Sequence, residues 1–75
     1  MNITKTLDCV GLFCPMPIVK TSQELDIMKP GEILEVTADD PGFEKDLPAW
    51  CKNAGQEFVE LKKEGPYLKG YVKKA

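Results

Sequence analysis

The chain contains no histidine, and all ten of its cationic residues are lysine. Without histidine there is no Cys-His or Ser-His couple, so the histidine-dependent routes of hydrolase-type nucleophilic catalysis are closed. Without arginine there is no planar fork to grip phosphate or carboxylate through two parallel bonds. A formal net charge of −2 supplies no general attraction for nucleic acid. No apolar run approaches the ~20 residues that a bilayer crossing needs. The opening residues, Met1 to Thr6, hold no apolar stretch of the kind a secretory signal requires, so a cytoplasmic location is the expectation.

Cysteine is scarce and odd in number. Three cysteines cannot form a fully paired disulfide framework within one chain, which suits a reducing compartment. Nor do they make a closed zinc site, which wants four Cys or His ligands. No metal or cofactor is therefore expected. What remains is 43% hydrophobic and 29% charged, the balance of an ordinary globular chain. Seventy-five residues leave room for one core, so a single domain over 1–75 is expected, and a monomer with it.

Hydrophobic period then divides the chain into elements. Ile3–Asp8 alternates loosely, with Ile3, Lys5 and Leu7 on one side, and reads as a first strand. Pro15 and Pro17 mark a helix start, since proline is favoured where its missing N–H lacks an intrahelical partner. Ile18, Thr21, Ser22, Leu25 and Met28 recur at helical spacing behind them. Glu32–Ala38 is the clearest strand, with Leu34, Val36 and Ala38 on one face. A second helix carries Leu47, Trp50, Cys51 and Ala54 as its inward stripe and ends at Gly55. Pro48 confines the regular start of that helix to near 43–46. Gln56–Lys63 and Tyr67–Lys73 form a closing hairpin. The order βαβαββ predicts an α/β (α+β) two-layer sandwich, a four-stranded mixed sheet with both helices on one face.

Cys14 stands directly before the first helix. Free backbone N–H groups and the positive end of the helix dipole there favour a thiolate. The N–H groups of Met16 and Ile18 are the expected donors, and Pro15 and Pro17 are expected to stiffen the turn. The plainer reading, a cysteine acting as a small buried hydrophobe, stays open on position alone. Cys51 falls in the inward stripe and reads as core. Cys9 ends the first strand and is a candidate resolving thiol for Cys14. The Asp39-Asp40 pair reads as helix capping by Asp40 in preference to paired carboxylates for metal or acid–base work. Lys69, Lys73 and Lys74 read as a solvated face. Tyr67, Tyr71 and Phe58 are candidates for an exposed partner surface on the uncovered side of the sheet.

These residues resemble a known family. Leu7-Asp8, Gly11-Leu12, Cys14-Pro15-Met16-Pro17, Lys29-Pro30-Gly31-Glu32, Ala38-Asp39-Asp40-Pro41 and Asp46-Leu47-Pro48 with Cys51 are similar to the TusA/SirA-like sulfur-carrier family. The short CPxP pattern gains its specificity from the KPGE and ADDP segments that follow at these intervals. The resemblance implies a βαβαββ sandwich and a sulfurtransferase whose CPxP cysteine, here Cys14, bears a persulfide. It implies a cysteine desulfurase or rhodanese-like donor and a DsrE-like or other acceptor protein. The pathways it implies are tRNA thiolation, molybdenum cofactor assembly and sulfur oxidation. Direct contact with nucleic acid or membrane is not expected. Members nearest the tRNA-thiolation protein carry a basic residue before the cysteine and an acid within CPxP; here those positions are Phe13 and Met16. The competing readings are a regulatory or adaptor module without sulfur chemistry and an RNA-binding module.

Overall fold

The computed structural model describes residues 2–75, so Met1, where the reading of the N-terminal segment begins, lies outside the described residues. Its elements are β1 (Lys5–Asp8), α1 (Met16–Asp26), β2 (Ile33–Ala38), α2 (Phe43–Ala54), β3 (Glu57–Glu64) and β4 (Tyr67–Lys73). The sheet order is β1-β2-β4-β3, with β1 and β2 parallel and the other two pairs antiparallel. This is the βαβαββ mixed sheet that the hydrophobic period predicts.

Alternation decides which face is covered. In β2 the buried residues are Leu34, Val36 and Ala38, and across the ladder they meet Val72, Gly70 and Leu68. Both helices lie on that side. Leu25 of α1 and Phe43, Leu47 and Cys51 of α2 complete the core with Cys9 and Met28. Ion pairs from Lys5 to Glu24 and from Lys63 to Glu44 tie the two edge strands to the same helical layer. Gly70 is buried at the centre because any Cβ there would strike the Leu47 side chain and the Phe43 ring.

Four local expectations are corrected. The regular part of β1 begins at Lys5 rather than Ile3, because the Thr4 hydroxyl accepts the Ile33 N–H and interrupts the backbone ladder. The inward line of α1 takes in Pro17 as well as the expected Thr21 and Leu25, with Ile18 half-buried against the core and Ser22 half-buried. Thr21 is tolerated there because its hydroxyl donates to the Pro17 carbonyl at 2.7 Å. Pro48 lies in the second turn of α2, which begins at Phe43. The carbonyl it deprives of a partner belongs to exposed Glu44, where water reaches it. Finally, α2 starts from Gly42 with no side-chain cap, so Asp40 is not the cap the sequence predicts.

The uncovered sheet face is not an aromatic platform. Tyr71 lies on it but is only 5% exposed. Its hydroxyl donates to Glu35 at 2.8 Å, and Lys62 stands 5.6 Å from the ring centre. Phe58 points to the helical side and packs on the core, which leaves Tyr67 exposed by itself. Lys69 is paired with Glu64, in keeping with a solvated face. Among the described residues, no helix is long and apolar enough to cross a membrane.

Candidate functional site

Parallel neighbours end at the same edge of a sheet, so the loop leaving β1 and the loop leaving β2 lie side by side. The β1 exit, Cys9 to Pro15, is held there by hydrogen bonds to carboxylates. Cys9 first extends the ladder, its N–H donating to the Thr37 carbonyl at 2.7 Å. Val10 N–H donates to Asp8 Oδ1 at 2.9 Å, and Gly11 N–H to Asp39 Oδ1 at 2.9 Å. Cys14 N–H donates to Asp40 Oδ2 at 3.1 Å. Gly11 turns at φ 85°, a conformation that side chains resist, and so brings its N–H to Asp39. The Asp39-Asp40 pair therefore acts as a clamp on the cysteine loop and not as a helix cap.

Cys14 is the exposed cysteine, and Cys9 and Cys51 are buried. Pro15 is the N-cap of α1, the Cys14–Pro15 peptide is cis, and Pro17 is buried in the core beneath the exposed Cys14, Pro15 and Met16. The motif thus anchors at Pro17 and presents its sulfur outward.

The expected source of anion stabilisation is absent from this turn. Met16 N–H is engaged by the Phe13 carbonyl at 2.8 Å, and Ile18 N–H by the Pro15 carbonyl at 3.1 Å. Pro15 and Pro17 have no N–H to offer. The first turn of α1 therefore aims no free donor at the sulfur, which corrects the roles expected of Met16 and Ile18. Carboxylates face the thiol instead. The Cys14 thiol is raised above its ordinary value, chiefly by its interaction with the Asp46 carboxylate. Reduced solvation and the negative charges of Asp46 and Asp40 add to the effect.

The sign follows directly. A raised thiol pKa leaves Cys14 protonated at neutral pH, and the reactive thiolate accumulates only as pH rises past the ordinary cysteine range. The alkylation rate of the native protein is expected to climb with pH along a curve displaced upward from that of free glutathione. Asp46→Asn removes the charge and is expected to move the curve down and speed reaction at neutral pH. A wild-type profile coinciding with that of glutathione would contradict this electrostatic picture.

The other two thiols are set by burial. Cys51 is pushed up to about 11 by loss of solvent. Cys9 is raised chiefly by burial and also by Asp8, with Lys20 opposing. Cys9 belongs to the sealed core, so a resolving role would require that part of the core to open. Among the described residues, no group of three or more Cys, Asp or Glu side chains is placed to hold a metal ion. A shallow depression of about 490 Å³ lies on the uncovered face at the same sheet edge, lined by Asp8, Val10, Thr37, Glu64, Tyr67 and Lys69. Cys14 does not line it.

Asp39, Asp40 and Asp46 are the site residues that reasoning from sequence missed. A signal for the first two was present: parallel pairing of the first two strands places the ADD segment beside the cysteine loop. Asp46 gives no such signal, because its approach to the sulfur depends on where α2 packs.

Comparison with known proteins is consistent along the whole chain. The family described as Sulfurtransferase TusA matches residues 5–74. A putative sulfur carrier protein of Bacillus subtilis, YrkI, is 45% identical over 74 residues, covering 99% of each chain. The sulfur carrier protein TusA of Allochromatium vinosum is 42% identical over 74 residues, covering 99% of this chain and 97% of that one. A second Bacillus subtilis relative, the putative sulfur carrier protein YrkF, is 45% identical, but the chain spans 40% of its length. Among solved structures, a SirA-like protein from Desulfitobacterium hafniense superposes with a TM-score of 0.78 at 20% identity, covering 92% of this chain and 95% of that one. At that identity the likeness speaks for the fold.

Proposed function

The chain belongs to the TusA sulfurtransferase family, and from that premise we propose that it is a sulfur carrier bearing a persulfide on Cys14. The observation that carries this reading is the exposure of Cys14, alone among three cysteines, at the head of an anchored CPxP turn.

The chemistry needs no resident cofactor. The Cys14 thiolate attacks the outer sulfur of a donor persulfide, forming the Cys14 S–S bond while the donor's cysteine leaves as thiolate. Asp46 favours the protonated thiol, so Cys14 must lose its proton before the attack begins. In the second step an acceptor nucleophile takes the outer sulfur and Cys14 leaves as thiolate. Exchange of this kind depends on thiolate fraction, leaving group and access. A thiol held above its ordinary pKa is a slow nucleophile towards stray electrophiles. Its thiolate is also a reluctant leaving group, so the loaded carrier keeps its sulfur.

The donor is a cysteine desulfurase or rhodanese-like protein, and the acceptor a DsrE-like or other protein. Their route leads to tRNA thiolation, molybdenum cofactor assembly or sulfur oxidation. Apolar Phe13 and Met16 at the flanking positions weigh against the first of these. The carrier works as a single 1–75 domain in the cytoplasm. The test is to alkylate the native protein briefly, before Cys9 and Cys51 react, and then offer a desulfurase with cysteine. Sulfur loading is expected to fall in proportion to Cys14 modified; full loading of Cys14-alkylated protein would overturn the assignment.

A further inference from the structure

The surface around Cys14 combines two features that the transfer chemistry by itself does not require. The first is apolar. Phe13, Met16 and Val19 are all exposed, and Phe13 shows 72% of its surface to solvent. Phe13 and Met16 flank the Cys14-Pro15 pair in the chain, and Val19 follows one turn on along α1. Among the described residues the other exposed large apolar side chains are Ile3, Val10, Ile27 and Tyr67, and Val10 lines the depression on the uncovered sheet face. An apolar cluster with a polar margin is the usual mark of a protein contact.

The second feature is charge. Asp8, Asp39 and Asp40 hold the cysteine loop through its backbone N–H groups. Asp40 and Asp46 carry carboxylate oxygens 3.6 Å and 3.5 Å from one point, the place a Cβ on Gly42 would occupy. The ion pairs among the described residues use Glu24, Glu44 and Glu64, and none of these four aspartates. Asp40 and Asp46 therefore stand without an ion-pair partner among the described residues, and the negative charge acting on Cys14 comes from them. A basic partner surface would complete both demands: it would match the carboxylates and relieve the repulsion that keeps the thiolate from forming.

Resting on the carrier reading, we propose that the Phe13–Met16–Val19 surface with its aspartate margin docks a partner protein whose own face is apolar and ringed by lysine or arginine, and that this docking readies Cys14 for transfer. In the free chain the sulfur is exposed yet idle; in the complex the partner's cations favour the thiolate both as nucleophile and as leaving group.

The experiment compares two peptides of opposite charge, with a glycine-substituted third as control, each activated at its cysteine as a mixed disulfide with 2-thiopyridine. One has the sequence Lys-Leu-Cys-Leu-Lys and the other Glu-Leu-Cys-Leu-Glu. Cys14 attacks the peptide sulfur, one S–S bond forms as another breaks, and thiopyridone leaves and is read by its absorbance. After normalisation to free cysteine, the lysine peptide is expected to react roughly ten- to a hundredfold faster at low salt. That preference should shrink towards unity in high salt and in Asp40→Asn/Asp46→Asn, where the amide oxygens still accept the same N–H bonds. Phe13→Ser should slow the lysine–leucine peptide without slowing its glycine counterpart, Lys-Gly-Cys-Gly-Lys. Equal rates for the two charged peptides, or a preference that survives the Asn substitutions, would overturn the proposal. Sulfur loading from inorganic polysulfide, run on the same protein, reports the carrier reading separately: its failure with the charge preference intact would sink the carrier and leave the docking surface standing.

Discussion

Cys14→Ser is expected to abolish sulfur transfer from a desulfurase to any acceptor, while the Cys9→Ala/Cys51→Ala double variant transfers at close to the wild-type rate. Serine oxygen forms no persulfide, and neither remaining thiol can substitute for the lost one. Cys9 and Cys51 are sealed in the core, and burial holds both thiols in the protonated form. Alanine in their place removes one sulfur atom each from a packed interior, a modest cost of about 1 kcal/mol per site. The double variant also decides the part played by Cys9. A resolving thiol would make its loss visible as slower release or as accumulated mixed disulfide. Residual loading in Cys14→Ser would mean that the core opens during turnover, and the exposure argument would fail.

Gly70→Val is expected to destabilise the fold markedly. Gly70 occupies the middle of β4, opposite Val36 on one side and Leu61 on the other. A Cβ at this position meets the Leu47 side chain, and the Phe43 ring lies 3.2 Å away. Both residues are fully buried, so neither has free space into which to retreat. Overpacking of this kind costs roughly 1–3 kcal/mol. For a domain of this size each kcal/mol moves the thermal midpoint by about 4–8 °C. Ile27→Ser, at a site 71% exposed, serves as the control and is expected to leave the midpoint unchanged. A Gly70→Val midpoint equal to that of wild type would show that α2 can lift from the sheet without penalty.

Much of this architecture is written in local pattern. Leu34, Val36 and Ala38 alternate as only a strand with one covered face does, and the structure buries all three. Gly55 ends α2 at φ 76°, where its lack of a Cβ matters. Cys14 and its two prolines stand where the helix-start signals put them. What escaped local pattern was set by long-range packing. Asp40 looks like a capping residue because it lies just before a helix, yet its carboxylate turns across to Cys14 N–H, 26 residues away. Helix starts usually offer N–H groups to an anion, but two prolines and two tight turn bonds leave this one with none to spare. Asp46 comes from a different helix altogether, and only the packed fold shows that it opposes the thiolate it faces. Gly70 gives no sequence signal, since its role is to leave room for Leu47 and Phe43.

The most direct measurement is the intact mass of the wild-type protein after incubation with a cysteine desulfurase and free cysteine, followed by peptide mapping without reductant. One or more added sulfur atoms, removed by reductant and confined to the peptide containing Cys14, is the predicted result. Added sulfur on the Cys9 or Cys51 peptide, or none from either a desulfurase or a rhodanese-like donor, would contradict the assignment of Cys14 as the carrier.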